Sequence, residues 1–254
     1  METCYRHPNR ETGVSCQRCD RFICPECATP GAVGFLCPED AGDRVKIHRA
    51  NFQKSLFQRA PITMTLIGIN VLVFVAQFLI PNSQNIFYFA PDYVGMGGLQ
   101  HALFSGFAHS TSQYTHILFN MYSLFVLGTL LEPMLGKLKF ITLYLLSLLG
   151  GCVAVMYFAP GAATVGASGA IFGLMGAYAV VAKAHGLETS QMLAIIGINL
   201  VLSFLPGISW QAHIGGLIIG LLVAGIYALF KKRFEIVMVT LLGFIGGLLI
   251  ALIG

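Results

Sequence analysis

The chain of 254 residues is 56% hydrophobic and only 10% charged, and its mean hydropathy is +0.76. An ordinary soluble domain is about 25% charged, so this composition excludes a single water-soluble globule. Residues 1–60 hold nine of the 15 Lys and Arg residues, and the net charge of +4 is too small for a nucleic-acid-binding surface. The sequence therefore predicts a small soluble head followed by a large membrane-embedded body.

Six of the seven cysteines lie in the first 37 residues. No basic segment followed by an apolar segment precedes them, so we expect the head to remain in a reducing cytosol, where paired thiols bind metal. A disulfide-stapled minidomain is the alternative interpretation. A domain of about 45 residues with few apolar side chains needs either disulfides or a structural metal to fold, and zinc is the metal expected here.

Four pairs of candidate ligands in the head are each separated by two residues, so one tight turn can direct both side chains at a single zinc ion. In a cross-braced arrangement, the first and third pairs bind one structural zinc ion, and the second and fourth pairs bind another. In chain order the pairs are Cys4 and His7, Cys16 and Cys19, Cys24 and Cys27, and Cys37 and Asp40. This order resembles a B-box-type zinc finger. Because that pattern prefers Cys or His to Asp40, His48 is an alternative ligand for the second site.

From Pro61 onward, apolar runs alternate with short breaks, and each run approaches the roughly 20 residues needed to cross a bilayer. We expect an all-α polytopic membrane protein with seven spans. Their predicted bounds are residues 62–80, 115–131, 139–158, 167–184, 190–206, 211–230 and 235–253.

The basic residues predict the orientation of these spans, because Lys and Arg are retained on the cytoplasmic side. With a cytoplasmic N-terminus, all 15 Lys and Arg residues fall in cytoplasmic segments or at the adjoining helix ends. The outer segments 81–114, 159–166 and 207–210 contain none. The C-terminus is therefore predicted to lie outside.

Spans 2, 4 and 6 enter the membrane from the outer side, and each carries polar residues in its first two turns. These residues are His116, Asn120, Ser168 and His213. At about 1.5 Å per residue they share one depth, and the i and i+4 spacing of His116 and Asn120 places both on one helix face. Ser168 lies among small residues that are typical of helix packing, whereas an intramembrane histidine is expensive and by default functional.

Together these residues fit a nucleophile and a base, with His213 taking the Ser168 proton and with His116 and Asn120 donating to an oxyanion. The only carboxylate in the predicted outer segments is Asp92, so the site is predicted to be a dyad rather than a triad. Phe172 lies one turn beyond Ser168, where stacking can orient the imidazole.

At these residues the chain resembles the rhomboid family of intramembrane serine proteases. The matching segments are His116–Met121 with Gly128 and Glu132, Gly166–Ala170, and Ala212–Gly216 with Gly220. One departure is that Gln100 and His101 stand near the place where the family usually has a Trp-Arg pair.

The resemblance implies a catalytic core of six helices over residues 61–232, a dyad of Ser168 and His213 supported by Gly166 and Phe172, and an oxyanion hole with His116, Asn120 and the Ser168 N–H. It implies no cofactor for catalysis. The expected substrates are membrane proteins with a transmembrane helix, cut near the outer face of a bacterial plasma membrane. The zinc head (1–45) and the seventh helix (233–254) look like additions found in some bacterial members.

The remaining segment, 46–60, is predicted to be a basic linker that lies against anionic headgroups. The basic residues of this linker are Lys46, Arg49, Lys54 and Arg59, and Arg44 lies just before it. The head is expected to dock a cytosolic protein.

Two other functions compete with proteolysis. A catalytically silent relative that binds membrane clients would lack Ser168 or His213, and a transporter is expected to carry charges near the midplane, often on inverted repeats.

Overall fold

The computed structural model describes residues 2–31, 34–41, 55–90 and 98–229, together with Gly243 and Gly246. The chain divides into two compact units, Met1–Ser55 and Leu56–Gly254. Most of the predicted seventh span and linker, as well as His48, lie outside the described residues.

Among its described residues, the first unit contains two small antiparallel sheets and one short helix. Strand β1 (Glu2–Cys4) pairs with β2 (His7–Thr12), and β3 (Thr29–Pro30) pairs with β4 (Phe35–Leu36) before helix α1 (Pro38–Ala41). Its buried cluster consists of Ile23 and five cysteines. Thiols therefore make up most of the buried cluster of this unit, in place of an ordinary apolar core.

The second unit is all-α in its described residues. It begins with the short helix α2 (Leu56–Arg59). The helices that follow are α3 (Pro61–Leu79), α4 (Gln84–Phe87), α5 (Gly98–Ser105), α6 (Tyr114–Leu135), α7 (Lys137–Phe158), α8 (Ser168–Ala184), α9 (Ser190–Leu202) and α10 (Trp210–Leu229).

Six of these helices coincide with the first six predicted spans. Within the described residues, α3, α6, α7 and α10 are long and apolar enough to cross a membrane, and α8 and α9 are shorter apolar helices. The all-α polytopic architecture is thus confirmed, whereas the predicted number of seven spans is not.

The boundaries differ from the predicted ones at several places. Helix α9 ends at Leu202, four residues before the predicted end of span 5. Helix α6 continues through Pro133 to Leu135. Only Gly136 separates it from α7, and its positive φ of +82° permits the sharp turn between the two helices. The predicted outer loop 81–114 contains α4 and α5. Trp210, predicted in a loop, is the first residue of α10.

Helix α8 lies at the centre of the described body, where it packs against α6, α7, α9 and α10. Eleven of its 17 residues are buried. The approach of α10 to α8 is close because glycines face each other: a Cβ on Gly216 or Gly220 would meet the backbone of Gly169 or Gly173. Small residues allow such contact between membrane helices.

A buried carboxylate ties α6 to the beginning of α3. Glu132 is only 2% exposed, and its oxygens accept hydrogen bonds from the backbone N–H groups of Ile62 (2.9 Å) and Thr63 (2.8 Å) and from the Thr63 hydroxyl (2.8 Å). The first N–H groups of a helix have no partner within the helix, and the helix dipole favours a negative charge there. Glu132 therefore caps α3 from a neighbouring helix.

Candidate functional site

A cavity of about 760 Å³ opens where α6, α8 and α10 begin. The polar residues predicted for spans 2, 4 and 6 line this cavity together: His116, Asn120, Ser168, Phe172 and His213. Because α6, α8 and α10 run in the same direction, their N-terminal turns meet at one end of the bundle.

Ser168 is the first residue of α8 and is half-buried. The segment before it is held by residues that lie between α3 and α6 in the chain. Thr164 and Phe89 exchange two backbone hydrogen bonds, of 2.7 and 3.0 Å, and the Gly166 N–H donates to the Ser105 carbonyl at 2.8 Å. Gly166 adopts φ +123°, which favours glycine. These contacts fix the turn that presents the Ser168 hydroxyl to the cavity.

His213 is 7% exposed, and its ring is held from two sides. Phe172 stacks on it, with the ring centroids 4.2 Å apart and the planes at 14°. The Oγ of Ser203 lies 2.6 Å from its Nδ1. The contacts of the described residues include no direct hydrogen bond between Ser168 and His213. Catalytic hydrogen bonds are often long in a ligand-free enzyme and shorten when substrate binds.

Sequence reasoning did not identify Ser203. A serine in an apolar helix is usually a packing residue, but Asn199 and Ser203 are i and i+4 in a run that is otherwise apolar. This pair of polar residues on one helix face is the pattern in the sequence that could have identified Ser203.

His116 and Asn120 direct their polar atoms to the turn before Ser168. A Cβ placed on Gly166 would lie 2.7 Å from the Nε2 of His116 and 3.6 Å from the Nδ2 of Asn120. The Ser110 N–H donates to the Nδ1 of His116 at 3.4 Å, so the Nε2 of this neutral imidazole carries the proton. The Nδ2 of Asn120 is buried and has no hydrogen-bond acceptor within the described part of the chain. Both side chains thus offer N–H donors beside Ser168.

In the first unit, the eight candidate metal ligands form the two predicted groups. Cys4, His7, Cys24 and Cys27 have their ligand atoms within 4.8 Å of one another, as do Cys16, Cys19, Cys37 and Asp40. In the first group, the Nδ1 of His7 lies 3.7, 3.4 and 3.4 Å from the sulfurs of Cys4, Cys24 and Cys27. A tetrahedron with zinc–ligand bonds of about 2.0–2.3 Å has edges of roughly 3.5–3.8 Å. The donor set therefore fits zinc.

The second group places Asp40 among the thiols. Its Oδ2 lies 3.3 Å from the Cys16 sulfur and 3.1 Å from the Cys37 sulfur. The thiols of Cys19, Cys37 and Cys16 hold the pKa of the Asp40 carboxyl at about 2, so this candidate ligand is ionised at neutral pH.

Arg21, which sequence reasoning also missed, supports the second group. Its Nε lies 3.3 Å from the Cys19 sulfur, its Nη2 lies 3.8 Å from the Cys37 sulfur, and its guanidinium covers the Tyr5 ring at 4.6 Å. With a divalent ion bound, three thiolates and a carboxylate would exceed its charge by two, and Arg21 would offset part of this excess.

A comparison with protein families matches the Rhomboid domain to residues 97–230, just over half of the chain. RHOMBOID-like protein 2 of Arabidopsis thaliana is 40% identical over 114 residues, which are 41% of this chain and 35% of that protein. Rhomboid protease GluP of Bacillus subtilis is 38% identical over 122 residues, which are 46% of this chain and 24% of that protein.

Rhomboid protease AarA of Providencia stuartii is 25% identical over 216 residues, which cover 69% of this chain and 75% of that protein. The chain spans between 29% and 40% of the length of the Arabidopsis relatives that it matches. The family match includes the N-terminal turns of α6, α8 and α10, where the cavity residues lie. The chain belongs to the rhomboid family.

Proposed function

We propose that this chain is an intramembrane serine endopeptidase that uses Ser168 as nucleophile and His213 as base. The observation that carries the proposal is one cavity in which a hydroxyl, a stacked imidazole and a buried amide donor lie together, the last with no acceptor among the described residues. Relatives that carry the name rhomboid protease support it.

In the first half of the reaction, the Ser168 oxygen attacks the scissile carbonyl while its proton passes to His213. As negative charge develops on the carbonyl oxygen, this oxygen accepts hydrogen bonds from Asn120 Nδ2 and His116 Nε2, and from the Ser168 N–H. His213 then gives the proton to the leaving amine, and the C–N bond breaks. Water, deprotonated by His213, releases the acyl group from Ser168 in the second half.

The buried Nδ2 of Asn120 explains why this donor set suits an oxyanion. An unpaired amide N–H in an apolar region costs free energy in the ground state. That cost is recovered when the tetrahedral intermediate forms, so the interaction stabilises the transition state more than the substrate complex.

The positions of the lysines support an outer location for the cavity. Lys183 lies in the last turn of α8, and Lys137 and Lys139 begin α7, so these charges lie at the end of the bundle opposite the first turns of α6, α8 and α10. Because basic residues are retained in the cytoplasm, the cavity opens to the outside. The substrates are transmembrane segments with helix-weakening Gly or Pro near their outer ends, since the scissile backbone must be extended.

A serine-directed fluorophosphonate tests the proposal without knowledge of the natural substrate. We expect the full-length protein in detergent to be labelled at Ser168, with the site identified by mass spectrometry, and the label to be absent from Ser168→Ala. A wild-type protein that stays unlabelled and does not cleave a model transmembrane substrate would favour the alternative, a silent protein that binds membrane clients.

Asn120→Ala is expected to lower kcat by about 10²–10³, because one oxyanion donor is lost. KM is expected to change little, since the interaction forms mainly in the transition state. The measurement is steady-state cleavage of a model transmembrane substrate. A rise in KM with unchanged kcat would instead assign Asn120 to substrate binding.

The first unit is proposed to hold two structural zinc ions that take no part in the chemistry. Each ligand group offers four donors, which leaves no open coordination position for a substrate. Metal analysis of the full chain is expected to give two zinc ions. A chelator is expected to unfold this unit, because the binding free energy of a structural zinc is also folding free energy.

Thiol alkylation after chelation reports this unfolding within one sample. We expect the six cysteines of the head to become reactive while Cys152, which is 3% exposed in the helical body, stays protected as the internal control. Substrate cleavage is expected to persist. Head cysteines that stay protected after complete removal of zinc would contradict the structural role, and loss of cleavage would contradict the independence of the two units.

A further inference from the structure

The hydroxyl of Ser203 has two close partners and one proton to share between them. Its Oγ lies 2.6 Å from the Asn199 carbonyl oxygen and 2.6 Å from the Nδ1 of His213. Ser203 is only 2% exposed, so water does not compete for either contact. The direction of the two hydrogen bonds therefore depends on which of the three groups can donate a proton and which can only accept one.

A backbone carbonyl oxygen can only accept a hydrogen bond, so the hydroxyl proton is directed to Asn199. This is the local bond that serines in helices form with the carbonyl four residues earlier. The Ser203 oxygen then has lone pairs and no proton for His213. The short contact with Nδ1 is favourable only if Nδ1 carries the imidazole proton, because two acceptors at 2.6 Å would otherwise repel each other.

We propose that Ser203 is the positioning residue for His213, holding the imidazole in the tautomer with a protonated Nδ1 and a bare Nε2. A bare Nε2 is what a general base needs in order to take the Ser168 proton. The carboxylate of a serine protease triad has the same task, since it holds the histidine in the correct tautomer. This role rests on the proposed dyad, and Ser203 itself touches neither the substrate nor the reacting atoms.

Phe172 and Ser203 divide the control of the imidazole between them. Stacking fixes the plane of the ring, but it does not distinguish one nitrogen from the other. The hydrogen bond to Ser203 makes that distinction. It also links the base, which lies on α10, to the C-terminal end of α9, since Asn199 lies in the last turn of α9 and Ser203 directly follows it.

Ser203→Ala removes the acceptor for the Nδ1 proton, so a fraction of the His213 rings should adopt the opposite tautomer and lose the base. We expect kcat and the rate of fluorophosphonate labelling of Ser168 to fall roughly 10- to 100-fold with little change in KM. This is less than the loss of about 10⁴ that follows removal of a triad carboxylate. Ser203→Thr keeps the hydroxyl and is expected to restore most of the rate. Ser190→Ala, at the exposed first position of α9, is the matched control.

The tautomer itself is read by ¹⁵N NMR of histidine-labelled protein in detergent, with the His213 signals assigned from a His213→Gln spectrum. We expect Nδ1 to be protonated in the wild type and the opposite tautomer to become populated in Ser203→Ala. A wild type with protonated Nε2, or a Ser203→Ala protein with wild-type kcat and labelling rate, would overturn the role of Ser203. Absence of all labelling in the wild type would overturn the dyad, and the NMR result would still decide the tautomer.

Discussion

Replacement of either Ser168 or His213 by alanine is expected to abolish cleavage, with a loss of kcat on the order of 10⁶, as when a serine protease loses its nucleophile or its base. The reason is that neither group works alone: without His213 the hydroxyl keeps its proton, and without Ser168 the base has no nucleophile to activate. The double variant is therefore expected to be no slower than either single variant. The measurement is cleavage of a model transmembrane substrate by purified protein in detergent.

Two exposed residues supply matched controls for this experiment. Ser190→Ala and His185→Ala remove the same side-chain types at the first position of α9 and just beyond α8, and both residues are exposed. Both controls are expected to keep wild-type rates. Measurable turnover by Ser168→Ala, or a double variant much slower than both single variants, would contradict the assignment of one catalytic unit.

Hydropathy was sufficient to predict the six longer helices α3, α6, α7, α8, α9 and α10, because a bilayer imposes a length and a composition on every span. It predicted α3 and α7 to within about two residues at each end. It did not predict α4 and α5, since segment 81–114 lacks a long apolar run. The end of α6 was also missed, because Glu132 and Pro133 are typical of a helix boundary in a sequence. In the structure, Glu132 instead caps α3, and Pro133 lies within the last turn of α6.

Sequence reasoning predicted those site residues whose chemistry is unusual in a membrane. Histidine and asparagine are expensive there, so His116, Asn120 and His213 were visible from the sequence. Ser203 and Arg21 were not, because a serine in an apolar helix and an arginine in a charged head are both common. Their roles depend on which side chain the fold places beside them, and that information is not local in the sequence.

The glycines of α10 illustrate the same limit and lead to the second large effect. In the sequence, Gly215, Gly216 and Gly220 stand out only as part of the segment that resembles the rhomboid family, and nothing there identifies what they pack against. In the structure, a Cβ on Gly216 would lie 2.6 Å from the carbonyl carbon of Gly169, the residue directly after Ser168. The backbone cannot rotate away as a side chain can, so any added atom must push α8 and α10 apart.

Gly216→Ala is therefore expected to lower the free energy of unfolding by about 3 kcal/mol, the upper end of the usual range for overpacking. It is also expected to slow fluorophosphonate labelling of Ser168 by on the order of 10²-fold, since a displacement of about 1 Å misplaces the nucleophile. Gly225→Ala is the control on the same helix, because a Cβ there meets nothing within 4 Å and alanine favours the helix by roughly 0.5–1 kcal/mol. Thermal unfolding in detergent measures both variants, and equal stability of the two would contradict the close approach of α10 to the turn that carries Ser168.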